Sequence, residues 1–216
     1  MYIPKHNIMK EDDVFDFIEI NSFGILITQN EKKLTGTHIP FLLKRKEGSY
    51  GKLICHIAKA NRQWKDLSGE VLVIFPGPHK YISPSWYETD QAVPTWNYLS
   101  VHLYGEIKII EDRDKKINAV RELVEMIEPE KERYSMDNLK PEYFEGLLKG
   151  IVVFEIAINS IEGKEKISQN HSAERQLRII ENLIRDDDPD AEKIADRMKL
   201  NLFSKMDGSS GPDNIP

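Results

Sequence analysis

Rings, prolines and a histidine crowd into Phe75-Pro-Gly-Pro-His-Lys-Tyr-Ile-Ser-Pro-Ser-Trp-Tyr87 and Val93-Pro-Thr-Trp-Asn-Tyr98, two segments that hold Trp86 and Trp96. Proline and glycine narrow the backbone choices there, so rings, hydroxyls and amides are presented with little conformational entropy left to lose. Such a surface stacks a flat aromatic ligand; the competing reading is that the same rings fill the core of a small β-barrel. The third tryptophan closes His56-Ile-Ala-Lys-Ala-Asn-Arg-Gln-Trp64. That stretch offers a cation (Lys59), an amide side chain (Asn61) and small residues that would let main-chain N–H groups approach an anion, a candidate phosphate seat; the competing reading is an ordinary turn, where a lysine and an asparagine after a strand are common.

Other chemistries lack their residues. No Gly-x-Gly-x-x-Gly or Walker loop occurs, so a nucleotide would have to be held without the usual phosphate-binding segments. His38, His56, His79 and His102 fall in or beside expected strands but show no His-x3-His or Cys-x2-Cys spacing, and adjacent Cys55 and His56 point to opposite strand faces. A structural zinc is therefore not expected. There is no Gly-x-Ser-x-Gly elbow, and Ser83-Pro-Ser85 has no recognisable base partner. Cys55, the single cysteine, cannot make an internal disulfide and reads as a packing residue.

A net charge of −6 argues against a surface that binds nucleic acid without specificity, because phosphate affinity comes from clustered cations. The densest basic cluster, Lys44-Arg45-Lys46, precedes Glu47-Gly48-Ser49 and reads as a solvated hairpin tip. Apolar runs such as Gly24-Ile-Leu-Ile-Thr28 and Ile151-Val-Val-Phe154 are strand-length, too short to cross a bilayer. The N-terminus has no secretory pattern, so a cytoplasmic location without membrane contact is expected.

Positioning these residues requires mostly strands. Acidic residues at its start predict a helix over Glu11–Ile20. Strands are expected at 24–29, 34–44, 52–58, 70–75, 80–83 and 98–110; their short separations favour antiparallel hairpins in a barrel or sandwich. Gly105 marks a bend or bulge in the longest strand. Ile117, Val120, Val124 and Ile127 predict an amphipathic helix over 112–128 ended by Pro129, followed by a shorter helix at 141–149 and a strand at 151–161. Two helices, 173–185 and 189–199, are joined by Asp186-Asp-Asp188, and the tail from Gly208 is expected to be disordered. Arg175, Arg178, Arg185, Lys193, Arg197 and Lys199 could reach phosphates if this pair were a helix-turn-helix. The acidic linker instead favours a helical hairpin packed through Leu177, Ile180, Ile184, Ile194 and Met198.

Taken in order, Met1-Tyr-Ile-Pro-Lys-His6, His38-Ile-Pro-Phe41, His56-Ile-Ala-Lys-Ala-Asn-Arg-Gln-Trp64, the Pro78-His-x-Tyr-Ile-Ser-Pro-Ser-Trp-Tyr87 segment, Val93-Pro-Thr-Trp-Asn-Tyr98 and Lys166-Ile-Ser-Gln-Asn170 resemble the PaiB family of FMN-binding-type negative transcriptional regulators, linked to repression of protease production and sporulation. The resemblance implies an α+β fold: an antiparallel split β-barrel of the pyridoxamine-phosphate-oxidase-like kind with flanking helices and a C-terminal helical pair. It divides the chain into a barrel domain (1–170), a helical pair (171–201) packed on the barrel and a tail (202–216). It further implies a homodimer with FMN at the subunit interface. His38, Ile39 and Pro40 would lie along the isoalloxazine. Lys59, Ala60 and Asn61 would surround the phosphate, with His56 and Trp64 beside them. Trp96, Asn97, Tyr98 and Ser100 would come from the partner subunit, and Ser168 and Gln169 would close the site. Flavin oxidases of the fold offer several cations to the phosphate, whereas here Lys59 stands with Arg62 in reserve; haem is the alternative planar ligand. Regulation through promoter DNA or a protein partner is one functional reading, and an FMN-dependent oxidoreductase with an indirect effect on transcription is the other.

Overall fold

The computed structural model describes residues 1–30, 33–128 and 134–206, with side chains to Ser204. The expected Pro129 stop and the tail from Gly208 lie outside these residues. The chain divides into two compact units: a barrel unit of Glu11–Phe75 and Val101–Glu162, and a strand–helix unit of Met1–Lys10, Pro76–Ser100 and the chain from Gly163.

Seven strands are ordered β2 (Lys33–Pro40), β1 (Phe23–Asn30), β5 (Glu70–Ile82), β6 (Thr95–Ile109), β7 (Ile151–Lys166), β4 (Lys52–Ala58) and β3 (Leu42–Lys44). The register is antiparallel, with Ile25 opposite His38 between β1 and β2 and Cys55 opposite Phe154 between β4 and β7. Strands β2 and β3 are the two ends of this order, yet Phe41 alone separates them in sequence, so the sheet's edges meet in one bent segment and the sheet closes into a barrel. The expected single strand 34–44 is thus two. Phe41 turns the corner: its N–H donates to Ser22 at 2.8 Å, and its fully buried ring meets Phe75 edge-on at 5.5 Å. Period-two alternation aims Leu53, Cys55, Ile57, Val101, Leu103, Phe154 and Ile156 inward. Burial pushes the Cys55 thiol far up, and its Sγ donates to the Pro40 carbonyl at 2.9 Å, as befits a packing residue.

Helices dock on the outside. Helix α1 (Glu11–Ile20) buries Val14, Phe17 and Ile18. Helix α2 (Arg113–Ile127), capped by Asp112 Oδ1 accepting from Lys115 N, sets Ala119 and Leu123 on Ile54 and Val153; α3 is Pro141–Lys149. The basic cluster is not a free tip: Arg45 reaches Asp16 and Glu19 of α1 at 2.6 Å, and Lys44 reaches Glu122 of α2 at 2.8 Å. Gly105 works by close approach, since a Cβ there would stand 2.3 Å from the Ala157 carbonyl oxygen, and β6 runs unbroken through it.

Two strands outrun their expected ends. The segments 70–75 and 80–83 are one strand, β5, continuous through Pro76-Gly-Pro78; its ladder with β1 ends at Ile74, ahead of the prolines, so their missing N–H groups break no bond there. Strand β7 continues to Lys166. In the strand–helix unit, α4 (Ala173–Ile184) and α5 (Pro189–Met206) form the expected hairpin, and α5 takes in residues 202–206 of the expected tail. The buried stripe of α4 is Gln176, Ile179, Ile180 and Leu183, which meets Ile194 and Met198 among the buried residues of α5. Leu177 and Ile184 were expected in that seam; they are 48% and 56% exposed.

Candidate functional site

In the barrel unit the turn leaving β4 is fastened from several sides. Gln63, 3% exposed, donates through Nε2 to the Leu26 and Thr35 carbonyls and to Thr28 Oγ1, and bonds Thr37 Oγ1 through Oε1. Asn61 Oδ1 accepts from Gln63 N, its Nδ2 donates to Thr37, and Trp64 Nε1 donates to the Lys59 carbonyl at 3.0 Å. Sequence reasoning passed over Gln63, whose role follows from partners on two distant strands.

These bonds correct the proposed phosphate seat. The Lys59 N–H is donated to Gly150 O (2.8 Å) and that of Asn61 to Ala58 O (2.9 Å), so neither can face an anion, and both ends of the Asn61 amide are engaged. What the turn does present is side-chain charge. Lys59 and Arg62 are exposed, and among the described residues neither has an ion-pair partner; Lys65 lies 6.0 Å from the centre of the Trp64 ring. Ala60 is exposed beside them.

On the outer face of β4, His56 has a buried Nδ1 with no hydrogen-bond partner, and burial holds its imidazole below its usual pKa. A buried polar atom left unpaired is costly unless a ligand or water completes it. On β2, alternation buries Ile39 at 9% exposure and turns His38 out, where it stacks on Phe23 at 6.3 Å; Pro40 is half-buried. Ile39 therefore has main-chain groups, not its side chain, to offer outward.

In the strand–helix unit the sheet has two unlike faces. Trp96, Tyr98 and Ser100 share one face of β6, with Trp96 52% exposed. Its ring lies 6.1 Å from His79 and 5.9 Å from Tyr81, both on β5. Lys164 Nζ stands 5.2 Å from the centre of the Tyr98 ring, and Lys166 donates to the Trp96 carbonyl at 2.9 Å and to Thr95 Oγ1. Partial burial lowers the Lys166 pKa. The opposite face is a closed polar network. Asn97, fully buried, accepts from Ser168 Oγ at 3.0 Å and donates to Met198 Sδ at 3.6 Å. Gln169 binds Ile167 N and Glu165 O, and Arg197 grips Glu165 with two bonds of 2.9 and 2.8 Å. Ser168 sits at φ 62°, a left-handed conformation that costs a non-glycine residue about 1–3 kcal/mol and that this network holds. The structure thus gathers Trp96, Tyr98 and Ser100 on one face and Asn97, Ser168 and Gln169 behind it. The period of two within Trp96-Asn97-Tyr98 carried that distinction in the sequence.

The cations of the helical hairpin are largely spent. Arg175 pairs with Glu88, Arg178 with Glu174, Lys193 with Asp190, Arg197 with Glu165 and Lys199 with Asp196. The acidic linker is a clamp: Lys80 binds Asp186 and Asp188 at 2.7 and 2.9 Å, and His79 N donates to Asp190. These pairs favour the helical hairpin over a helix-turn-helix; Arg185, the sixth candidate cation, is exposed and has no ion-pair partner among the described residues.

An antiparallel barrel closed through a bent strand, with long strands passing into a second unit, defines the split-barrel class. Solved structures agree in fold: the FAD and heme binding protein of Mycobacterium smegmatis (TM-score 0.59, 13% identity, 80% of this chain and 79% of that one) and a flavocytochrome of Azotobacter vinelandii (TM-score 0.56, 16% identity, 73% and 67%). Residues 1–160 match the family model described as "Putative FMN-binding domain", and the chain belongs to that family. It is 36% identical over 210 residues to the Protease synthase and sporulation protein PAI 2 of Bacillus subtilis, covering 95% of this chain and all of the relative. Among the described residues no helix is long and apolar enough to cross a membrane.

Proposed function

We propose that the protein is an FMN-binding regulator of the PAI 2 kind, acting as a homodimer to lower protease production and sporulation. The observation that carries the flavin half is the fastened turn after β4, where Lys59 and Arg62 have no ion-pair partner among the described residues and lie close in sequence to a histidine whose buried Nδ1 is unsatisfied there. These groups fit the cofactor: two cations for a phosphate, and a neutral imidazole nitrogen for the polar edge of a flat ring system. Lys59 and Arg62 would hold the phosphate, and His38, Pro40, His56 and Trp64 would line the ring. Trp96, Tyr98 and Ser100 would be contributed by the second protomer, with Asn97, Ser168 and Gln169 fixing that face from behind. When bound, the flavin supplies electron transfer; the chain's residues orient it and exclude water.

The second reading, an FMN-dependent oxidoreductase acting on a small molecule with an indirect effect on transcription, draws on the depressed His56 pKa, which keeps a neutral imidazole beside the ring. Both readings predict one flavin per subunit in a dimer, measured by absorbance of the purified protein, FMN titration by flavin fluorescence and sizing. Trp96→Ala should weaken binding. No flavin absorbance and no saturable binding would remove the flavin mechanism, and a Soret band would replace it with haem. Turnover of an electron acceptor at the rate of flavin reduction would favour the enzyme.

A further inference from the structure

The α4–α5 hairpin carries exposed apolar and acidic side chains that the proposed site does not use. Leu177 and Ile184 lie seven residues apart, on one side of α4, and are 48% and 56% exposed. On α5 the row Glu192, Asp196, Lys199 continues at helical spacing to Phe203, 58% exposed, with Leu200 beside it at 63%. At the linker end Ile184 of α4 and the Glu192, Asp196, Lys199 row of α5 border one groove, a cavity of about 350 Å³ also lined by Ala195, Asp186, Asp187 and Asp188. Lys80 and Lys199 neutralise part of this charge, but among the described residues Asp187 and Glu192 have no ion-pair partner.

We infer that this groove docks an amphipathic helix of a partner protein, with apolar side chains on Leu177, Ile184 and Phe203 and Lys or Arg side chains meeting Asp187 and Glu192. An amphipathic helix lays its apolar face on such exposed apolar side chains, and the carboxylates left without ion pairs among the described residues select basic residues on its flanks. The same charge disfavours the other occupants. A nucleic-acid backbone or an anionic bilayer would be repelled, and a second copy meeting this face symmetrically would set acidic groove against acidic groove. The inference does not depend on flavin binding.

The probe is a fluorescein-labelled helical peptide with Leu at i, i+3, i+4 and i+7 and Lys elsewhere, compared by anisotropy with a twin carrying Glu for Lys. The Lys peptide should bind saturably and more weakly as salt rises, and the Glu twin should bind at least tenfold more weakly. Leu177→Ser with Phe203→Ser, and separately Glu192→Lys, should each weaken the Lys peptide at least tenfold. Glu142→Lys, an exposed acid of α3, should leave it unchanged. Equal binding of both peptides, binding of neither, or no loss in the groove variants would overturn the inference. So would a fall in molecular size for Leu177→Ser with Phe203→Ser, which would show that a second copy covers the face.

Discussion

The basic side chains of the turn after β4 and those of the α4–α5 hairpin look alike in sequence, and, Arg185 apart, they differ in what they touch. Lys59 and Arg62 are held on a segment fastened by Gln63, Asn61 and Trp64, yet their own charges have no ion-pair partner among the described residues. Arg175, Arg178, Lys193, Arg197 and Lys199 are each committed to a carboxylate. A cation serves a ligand when its backbone is fixed and its charge is unspent; a cation already paired must break that contact before it can reach a phosphate. The difference favours an anionic ligand at the turn and a scaffold role for the hairpin.

The sharpest way to break this comparison is at Arg197. Its partner Glu165 is 5% exposed, so Arg197→Ala leaves a carboxylate buried without its cation, a loss of about 3 kcal/mol in urea unfolding. Replacing both residues by Leu should recover most of that, because the paired charges gain little over packed apolar groups. A single substitution that costs less than about 0.5 kcal/mol would return Arg197 to the pool of available cations.

The opposite result is expected at the turn. Lys59→Ala and Arg62→Ala should leave urea unfolding within about 0.5 kcal/mol of the parent, since exposed unpaired charges contribute little to stability. Each should weaken FMN about tenfold or more, the value of a charge-assisted hydrogen bond to phosphate. Unchanged affinity in both would separate the turn from the ligand.

Much of this architecture is legible in the sequence, and the remainder fails for definable reasons. Helix α1 and strand β4 occur at their expected bounds, because acidic first-turn residues and β-branched runs are local signals. The continuity of β5 through Pro76 and Pro78 is not local, since it depends on where the ladder to β1 stops. Gly105 is visible as an exception, but its reason, the Ala157 carbonyl, lies across the sheet. The site divides the same way. Alternation separates Trp96 and Tyr98 from Asn97, whereas the engaged N–H groups of Lys59 and Asn61 are set by Gly150 and Ala58, one of them distant in sequence.

Arg175 gives the smallest of these effects, and its contacts respond differently to acid. The guanidinium binds Glu88, lies 4.9 Å from the centre of the Tyr87 ring and meets His171 Nδ1 at 3.4 Å. Its hydrogen bonds pull the Glu88 carboxyl down to about 2 from an ordinary value of 4.5. A depressed folded-state pKa means the ion pair's stabilisation is present above the ordinary value and is lost as pH falls towards about 2. The ring contact does not titrate in that window. In Arg175→Gln the deficit in melting temperature against the parent should therefore narrow from about pH 4.5 downward. It should stop at a residual that reports the contacts with Tyr87 and His171. Because solvent reaches the pair, the titrating part should also shrink in high salt while the residual persists. A deficit that does not change between pH 5 and 3 would mean that Glu88 is not held by Arg175, and that Arg175 is as free as the cations of the turn.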